Sequence, residues 1–351
     1  MWQSSCCVWG MVPRSQSSLR LVSTGSAPEL PRAGPVQAED RSGQSAGALP
    51  LERLRQMANE FSAIVEAWSC TYQDVENIRG LVARLVDHIH IHPEMCLGMA
   101  RRLALQSPAM QHAFNVAVAA VLVGQALDLK DAQQLTIARA ALAMNLSSFQ
   151  LQDDLSSTRA SLSFGQRINI ARHPILAAEL LAHTPGADIQ WIEAVEQHHE
   201  AIDGTGYPFG IAGEEICIEA RVLKAADIWC ALLSSRPTRP GKYPHDAMQE
   251  LLTRERMRLD MSVLATLRRL LGNYPPGTLV RLASRETAVV TNFTQGNAGP
   301  RRVVAVLNAA GEVMVPALRD TGKTANLVRS YTYIPSHHPR MPRWEKVWSL
   351  G

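Results

Sequence analysis

Apolar residues recur at helical spacing over most of the chain. From Leu51 to about Leu105 they place Leu51, Leu54, Met57, Phe61, Ile64, Val65 and Trp68 on one face, with mixed charges opposite. From Pro108 the pattern becomes denser, and Phe114 to Val123 is the most apolar window. A further helix is headed by Arg172-His173-Pro174 and runs through Ala177, Leu180 and Leu181, with Pro174 read as a first-turn proline. Between Asp188 and Gln197, Ile189, Trp191, Ile192 and Val195 predict a short helix that ends at His198 and His199. His245 to Met248 opens another helix, and Leu264 to Leu271 closes the bundle. After Tyr274-Pro275-Pro276-Gly277 the period shortens. Runs 278–282, 287–292, 302–307 and 312–316 are β-rich and are split by Gly, Asn and Pro. The pattern predicts a mainly α protein, a helical bundle followed by a small antiparallel β module. Its expected parts are a low-complexity segment over 1–50, a helical lead-in over 51–107, a core over 108–271, a β-rich module over 274–320 and a tail over 321–351.

Composition narrows the class. The 351 residues are 46% hydrophobic and 19% charged, as in ordinary globular proteins. The formal charge of +3 is too small to argue for nucleic acid. The six cysteines form no Cys-x-x-Cys pair, which fits reduced thiols in a cytoplasmic protein. No run reaches the ~18 apolar residues of a membrane span, so a soluble chain without a span is expected. Residues 1–50 are rich in Ser, Gly, Pro and Ala and are expected to be disordered. Met57 is an alternative start.

The chemistry concentrates in His198-His199-Glu200-Ala201-Ile202-Asp203-Gly204-Thr205-Gly206-Tyr207-Pro208. Two imidazoles at a helix end, leading into a glycine-rich turn, can reach one metal ion together. The bland alternative is a pair of surface histidines favoured by the helix dipole. The alternating His88, His90 and His92 would align only on a strand; their flanks read helical, and Pro93 closes that helix, so they are not taken as ligands. His183 is read as surface.

Four elements in order from 198 to 239 carry a specific resemblance: His-His-Glu, Asp-Gly, Gly-Tyr-Pro with Gly210, then Ala220 to Asp227 and Arg236-Pro237-Thr238-Arg239. This stretch resembles the HD-GYP family, bacterial metal-dependent phosphodiesterases that hydrolyse cyclic di-GMP. His112-Ala113-Phe114-Asn115-Val116-Ala117 resembles the family's first helix, although Pro108 stands where a carboxylate is usual. His173 lies 25 residues before His198, and Asp227 lies 28 after His199, intervals that agree with the family. The resemblance implies an HD-superfamily helical bundle over 108–271, and β tails like 274–320 follow the core in some members.

One block departs from the pattern. Where the family has His-Asp-x-Gly-Lys, this chain has Met144, Asn145, Ser147 and Ser148 at the corresponding places, and Cys230 stands where a second Asp is usual. Asp153 and Asp154 are read as part of a polar loop too far on to compensate. By resemblance, His173, His198 and His199 would hold one ion, with His112 and Asp227 at its neighbours. Arg236 and Arg239, with Asp203, Gly204, Gly206, Tyr207 and Pro208, would contact a nucleotide or its phosphates. The implied cofactor is a divalent transition metal, iron or manganese, as one ion or as the family's larger set. The implied ligand is cyclic di-GMP or a related nucleotide, and the implied protein partner a signalling protein such as a diguanylate cyclase. An amide cannot bridge two cations as a carboxylate can, and the lost Lys would have offset phosphoryl charge. The expectation is a nucleotide sensor or docking module with weak or no hydrolysis; the alternative is an active cyclic di-GMP phosphodiesterase.

Overall fold

Short polar residues begin several of the helices. Thr71 accepts from the Asp74 amide while the Asp74 carboxylate takes the Thr71 amide at 2.7 Å, a reciprocal cap that starts α2 (Tyr72–Ile91). Ser107 caps α4 (Pro108–Ala126), Ser163 and Gln166 cap α7 (Phe164–Ala182), Asp188 caps α8 (Ile189–Gln197) and Asp260 caps α11 (Met261–Leu271). The remaining helices are α1 (Pro50–Glu66), α3 (Pro93–Ala100), α5 (Asp131–Ala143), α6 (Phe149–Ser157), α9 (Ile218–Leu233), α10 (Pro244–Thr253) and α12 (Trp344–Trp348). The computed structural model describes residues 50–157, 163–236, 239–294, 299–334 and 342–351. The disorder expected before Pro50 lies outside the described residues, as do Pro237, Thr238, His337 and His338.

Helix α4 is the axis of the bundle. It is buried almost all round, touching α3, α5, α6, α9 and α11, and its alanines 113, 117, 119 and 120 let those neighbours approach closely. An all-round apolar helix of this kind belongs to a core. At 19 residues α4 is long and apolar enough to cross a membrane, more than the sequence window suggested, but 78% of its apolar span is covered by the other helices. The proposed break at 107/108 is not a break in packing: Leu54, Phe61, Leu81 and Leu85 of α1 and α2 share one core with α4, α5 and α9.

Five strands follow: β1 (Leu279–Leu282), β2 (Thr287–Val289), β3 (Arg302–Leu307), β4 (Val313–Asp320) and β5 (Val328–Tyr331). They form an antiparallel sheet in the order β4-β3-β2-β1-β5. Alternation sends Leu279, Val289, Val304 and Val306 into the helical core, and Val280, Ala288, Val303 and Ala305 into a second cluster. Gly277, with φ +85°, backs directly onto the Gly98 backbone, and Arg102 donates to the Gly277 carbonyl at 3.1 Å; only glycines permit that approach.

Three expectations need correction. The 321–351 tail contains β5, paired with β1, and α12, whose Trp344 and Val347 are buried. Asp153 and Asp154 lie on α6, where the Asp153 carboxylate caps the Ala109 amide at 2.8 Å. Pro174 is not a first-turn proline: α7 starts ten residues earlier, at Phe164, because the Ser163–Gln166 cap fixes its end there.

Candidate metal centre

The interior proline defines the first ligand. Pro174 has no N–H to give the carbonyl of Ile170 one helical turn back, and the Nδ1 of His173 takes that carbonyl at 2.6 Å. His198 follows the last residue of α8, where carbonyls lack helical partners, and its Nδ1 donates to Val195 O at 2.6 Å. A carbonyl only accepts, so both rings carry their proton on Nδ1. Both Nε2 atoms are then bare, and they face one another at 3.1 Å. Two lone pairs at that distance repel and cannot hydrogen-bond; a cation between them resolves the conflict. His199 completes the set, and the three available ligand nitrogens lie within 4.8 Å of one another. Three neutral imidazoles, two of them with the second nitrogen anchored on a carbonyl, suit a divalent transition metal with open positions.

The electrostatics agree with that chemistry. Burial, then the neighbouring His173, pushes His198 down to about 3. Burial and the other two rings hold His199 well below the usual histidine value, and burial lowers His173. All three are neutral near pH 7, the form that binds metal.

Around them, the Gly-Tyr-Pro loop is tied down. Glu200, almost fully buried, accepts from the amides of Phe209 at 2.6 Å and Gly210 at 3.1 Å. Its carboxyl is raised by burial, which those two amides partly offset. Tyr207 stacks on His199 with centroids 4.7 Å apart, and the Tyr207–Pro208 bond is cis. Gly206 lies so close to the Glu200–Ala201 backbone that a Cβ has no room. Asp203 turns onto the Thr205 amide at 3.0 Å and hydroxyl at 2.6 Å, and Gly204 follows it at positive φ. In this structure Asp203 and Gly204 shape the loop.

His112 on α4 and Asp227 on α9 meet at 2.6 Å. Burial alone would raise the Asp227 carboxyl, but the His112 hydrogen bond, then the nearness of His198 and Arg236, hold it below the ordinary range. The pair thus lies beside the three histidines. The departing block is there too: Ser147 donates to the His173 carbonyl at 3.1 Å. Met144 is buried and apolar; the Asn145 side chain accepts from Gln152 at 2.5 Å, and Ser148 donates to the Asn145 carbonyl at 3.3 Å. These positions form a closed, uncharged network.

The two arginines divide. Arg236 is exposed, and its charge reaches Asp227. Arg239 donates from its guanidinium to the carbonyls of Ala231 at 2.8 Å and Leu232 at 3.3 Å, closing the end of α9. Two cations at the centre were not singled out from the sequence. Lys224 donates to the His199 carbonyl at 2.9 Å, and Arg258 bears on His199 and Lys224. Burial, then Arg258, lowers Lys224 to about 8. The signal for Lys224 was a lysine in the apolar run Val222-Leu223-Lys224-Ala225-Ala226, one turn before Asp227.

This combination is that of an HD domain, and the HD domain family matches residues 84–263, just over half of the chain. The chain belongs to that family. It is of the HD-GYP type: it is similar to the "Cyclic di-GMP phosphodiesterase PA4108" of Pseudomonas aeruginosa, 24% identical over 277 residues, covering 79% of this chain and 67% of the relative. It is also similar to the "Cyclic di-GMP phosphodiesterase response regulator RpfG" of Xanthomonas campestris, 33% identical over 139 residues, 39% of this chain and 36% of that protein. The solved structure of Bd1817, an HDG"Y"P protein from Bdellovibrio bacteriovorus, shares the fold at TM-score 0.51 and 18% identity, over 65% of this chain and 73% of that one.

Proposed function

We propose that this chain binds a cyclic dinucleotide, cyclic di-GMP first among them, at a one-metal centre, as a sensor or docking module of bacterial signalling with weak or no hydrolysis. The observation that carries the reading is the contrast between the two halves of the site. His173 and His198 are anchored on carbonyls and His199 converges with them, whereas Met144 and Asn145 lie in an uncharged network that offers a second ion no carboxylate. Iron or manganese at the three imidazoles would supply Lewis acidity and a water of lowered pKa. The protein's own groups do the rest. Pro174 and the end of α8 hold the tautomers, Asp227 keeps His112 oriented, Tyr207 covers one face of His199, and Glu200 fixes the loop above it. A site lacking the second clamp on the attacking and leaving oxygens loses orders of magnitude in rate. The partner this reading favours is a signalling protein such as a diguanylate cyclase, and the compartment is the cytoplasm.

Phosphodiesterase activity is the second reading. The His112–Asp227 pair beside the centre and the activities named for PA4108 and RpfG favour it. Calorimetric titration of the iron- or manganese-loaded protein with cyclic di-GMP tests the proposal. Saturable binding that disappears in His198→Ala/His199→Ala is expected, and absence of binding by the wild-type protein would overturn it.

A further inference from the structure

Lys224 is a buried ammonium with no paired carboxylate among the described residues. It lies on α9 one turn before Asp227 and is only 6% exposed. Its Nζ donates to the His199 carbonyl, which occupies one of its three N–H bonds. Among the described residues no carboxylate pairs with it within 4.0 Å; Asp227, Glu255 and Glu200 attract it only from farther away. Burying an unpaired charge is costly, so a fold that keeps one at its functional centre gains from an anion there. Arg258 lies in the short turn Arg256–Arg258. Its backbone carbonyl accepts from Ile202 at 3.1 Å, which ties it to the Gly-Tyr-Pro loop. One of its guanidinium nitrogens pairs with Glu255 at 3.2 Å, and its charge reaches His199, Lys224 and Asp203.

We propose that Lys224 and Arg258 are the phosphate-binding cations of this site, receiving a phosphodiester of the nucleotide where Ser148 has replaced a lysine and Arg239 is turned onto α9. The inference rests on the nucleotide-binding reading above. It also makes an unusual demand: a fixed positive charge beside three metal ligands should strengthen anion binding and weaken metal binding together.

The test uses the full chain, metal-loaded, with Lys224→Gln and Arg258→Gln. Calorimetry measures cyclic di-GMP and, separately, orthophosphate; chelator competition measures manganese. Each variant is expected to bind nucleotide about ten-fold or more weakly, as loss of a charge-assisted contact implies. Lys224→Gln is expected at the same time to hold manganese more tightly, a sign that general damage to the fold cannot produce. Lys224→Arg, which keeps the charge, should recover most of the nucleotide affinity. If Lys224→Gln does not fold, the half-exposed Arg258→Gln decides alone. Nucleotide binding within two-fold of wild type in the folded variants overturns the proposal and leaves the nucleotide reading intact. If the wild-type protein binds no nucleotide, that reading fails, and the orthophosphate arm decides: affinity lost in the variants supports the cation pair, and unchanged or absent phosphate binding overturns it.

Discussion

Replacing Pro174 with Ala should separate helix stability from metal affinity. The substitution restores an N–H opposite the Ile170 carbonyl, the group that accepts from His173 Nδ1 at 2.6 Å. Proline in a helix interior is disfavoured relative to alanine by up to ~3 kcal/mol, so α7 should be as stable as before or more so, with an unfolding midpoint unchanged or a few degrees higher. The metal centre should suffer. Losing the outer hydrogen bond of a ligating histidine typically costs about 10–100-fold in affinity. A carbonyl has two lone pairs and can share itself between two donors, which places the expected loss near the lower end, about ten-fold or ~1.4 kcal/mol. Manganese affinity is measured by chelator competition, and stability by thermal unfolding of the metal-free protein. Unaltered metal affinity in a folded Pro174→Ala protein would refute the claim that the freed Ile170 carbonyl sets the His173 tautomer.

The three histidines also set a pH dependence. Their folded values lie below the 6.5 of the unfolded chain, His198 at about 3, so the unfolded state binds more protons between those values. The metal-free protein is therefore expected to lose stability as pH falls from about 7 to 5, by up to ~1.4 kcal/mol per pH unit for each ring that stays neutral; denaturant midpoints flat across that window would contradict it. Glu200→Ala strands the Phe209 and Gly210 amides and should cost about 2–4 kcal/mol, read from urea unfolding, with weaker metal binding as Tyr207 loosens from His199. Gly277→Ala drives a Cβ into the Gly98 backbone at positive φ and should lower the thermal midpoint by several degrees, reflecting at least about 2 kcal/mol; a midpoint equal to wild type would show that the sheet and α3 are not held this closely. Met144→His/Asn145→Asp should raise bound metal above one ion per chain in elemental analysis, while lowering the stability of the metal-free form by placing a charge in a neutral network. Metal content unchanged from wild type would mean that these positions do not face an ion site.

Much of this was legible in the residues. The helical period of α1, the density of α4 and the β-rich runs after Gly277 all became elements close to where they were expected. The spacing of His173, His198 and His199 likewise brought three rings together: His173 and His198 each sit beside a carbonyl that the helix leaves unpaired, and His199 stacks on Tyr207. What could not be seen depends on tertiary partners. β5 is a four-residue edge strand, half exposed and mixed in polarity, which becomes a strand only because β1 lies beside it. Arg239 looks the same in sequence whether it meets a phosphate or the end of its own helix; geometry alone turned it onto Ala231 and Leu232. Lys224 and Arg258 belong to different segments, and nothing in the local pattern of either announces the other.

The central claim is one metal ion and a bound nucleotide without efficient hydrolysis. The most direct measurement is turnover of cyclic di-GMP by protein purified anaerobically with iron or manganese, beside the His198→Ala/His199→Ala protein. The expected result is nucleotide bound by the wild-type protein with little or no turnover above the double mutant. Efficient turnover that disappears in the double mutant would contradict the claim, and would show that Met144 and Asn145 are compatible with an active phosphodiesterase.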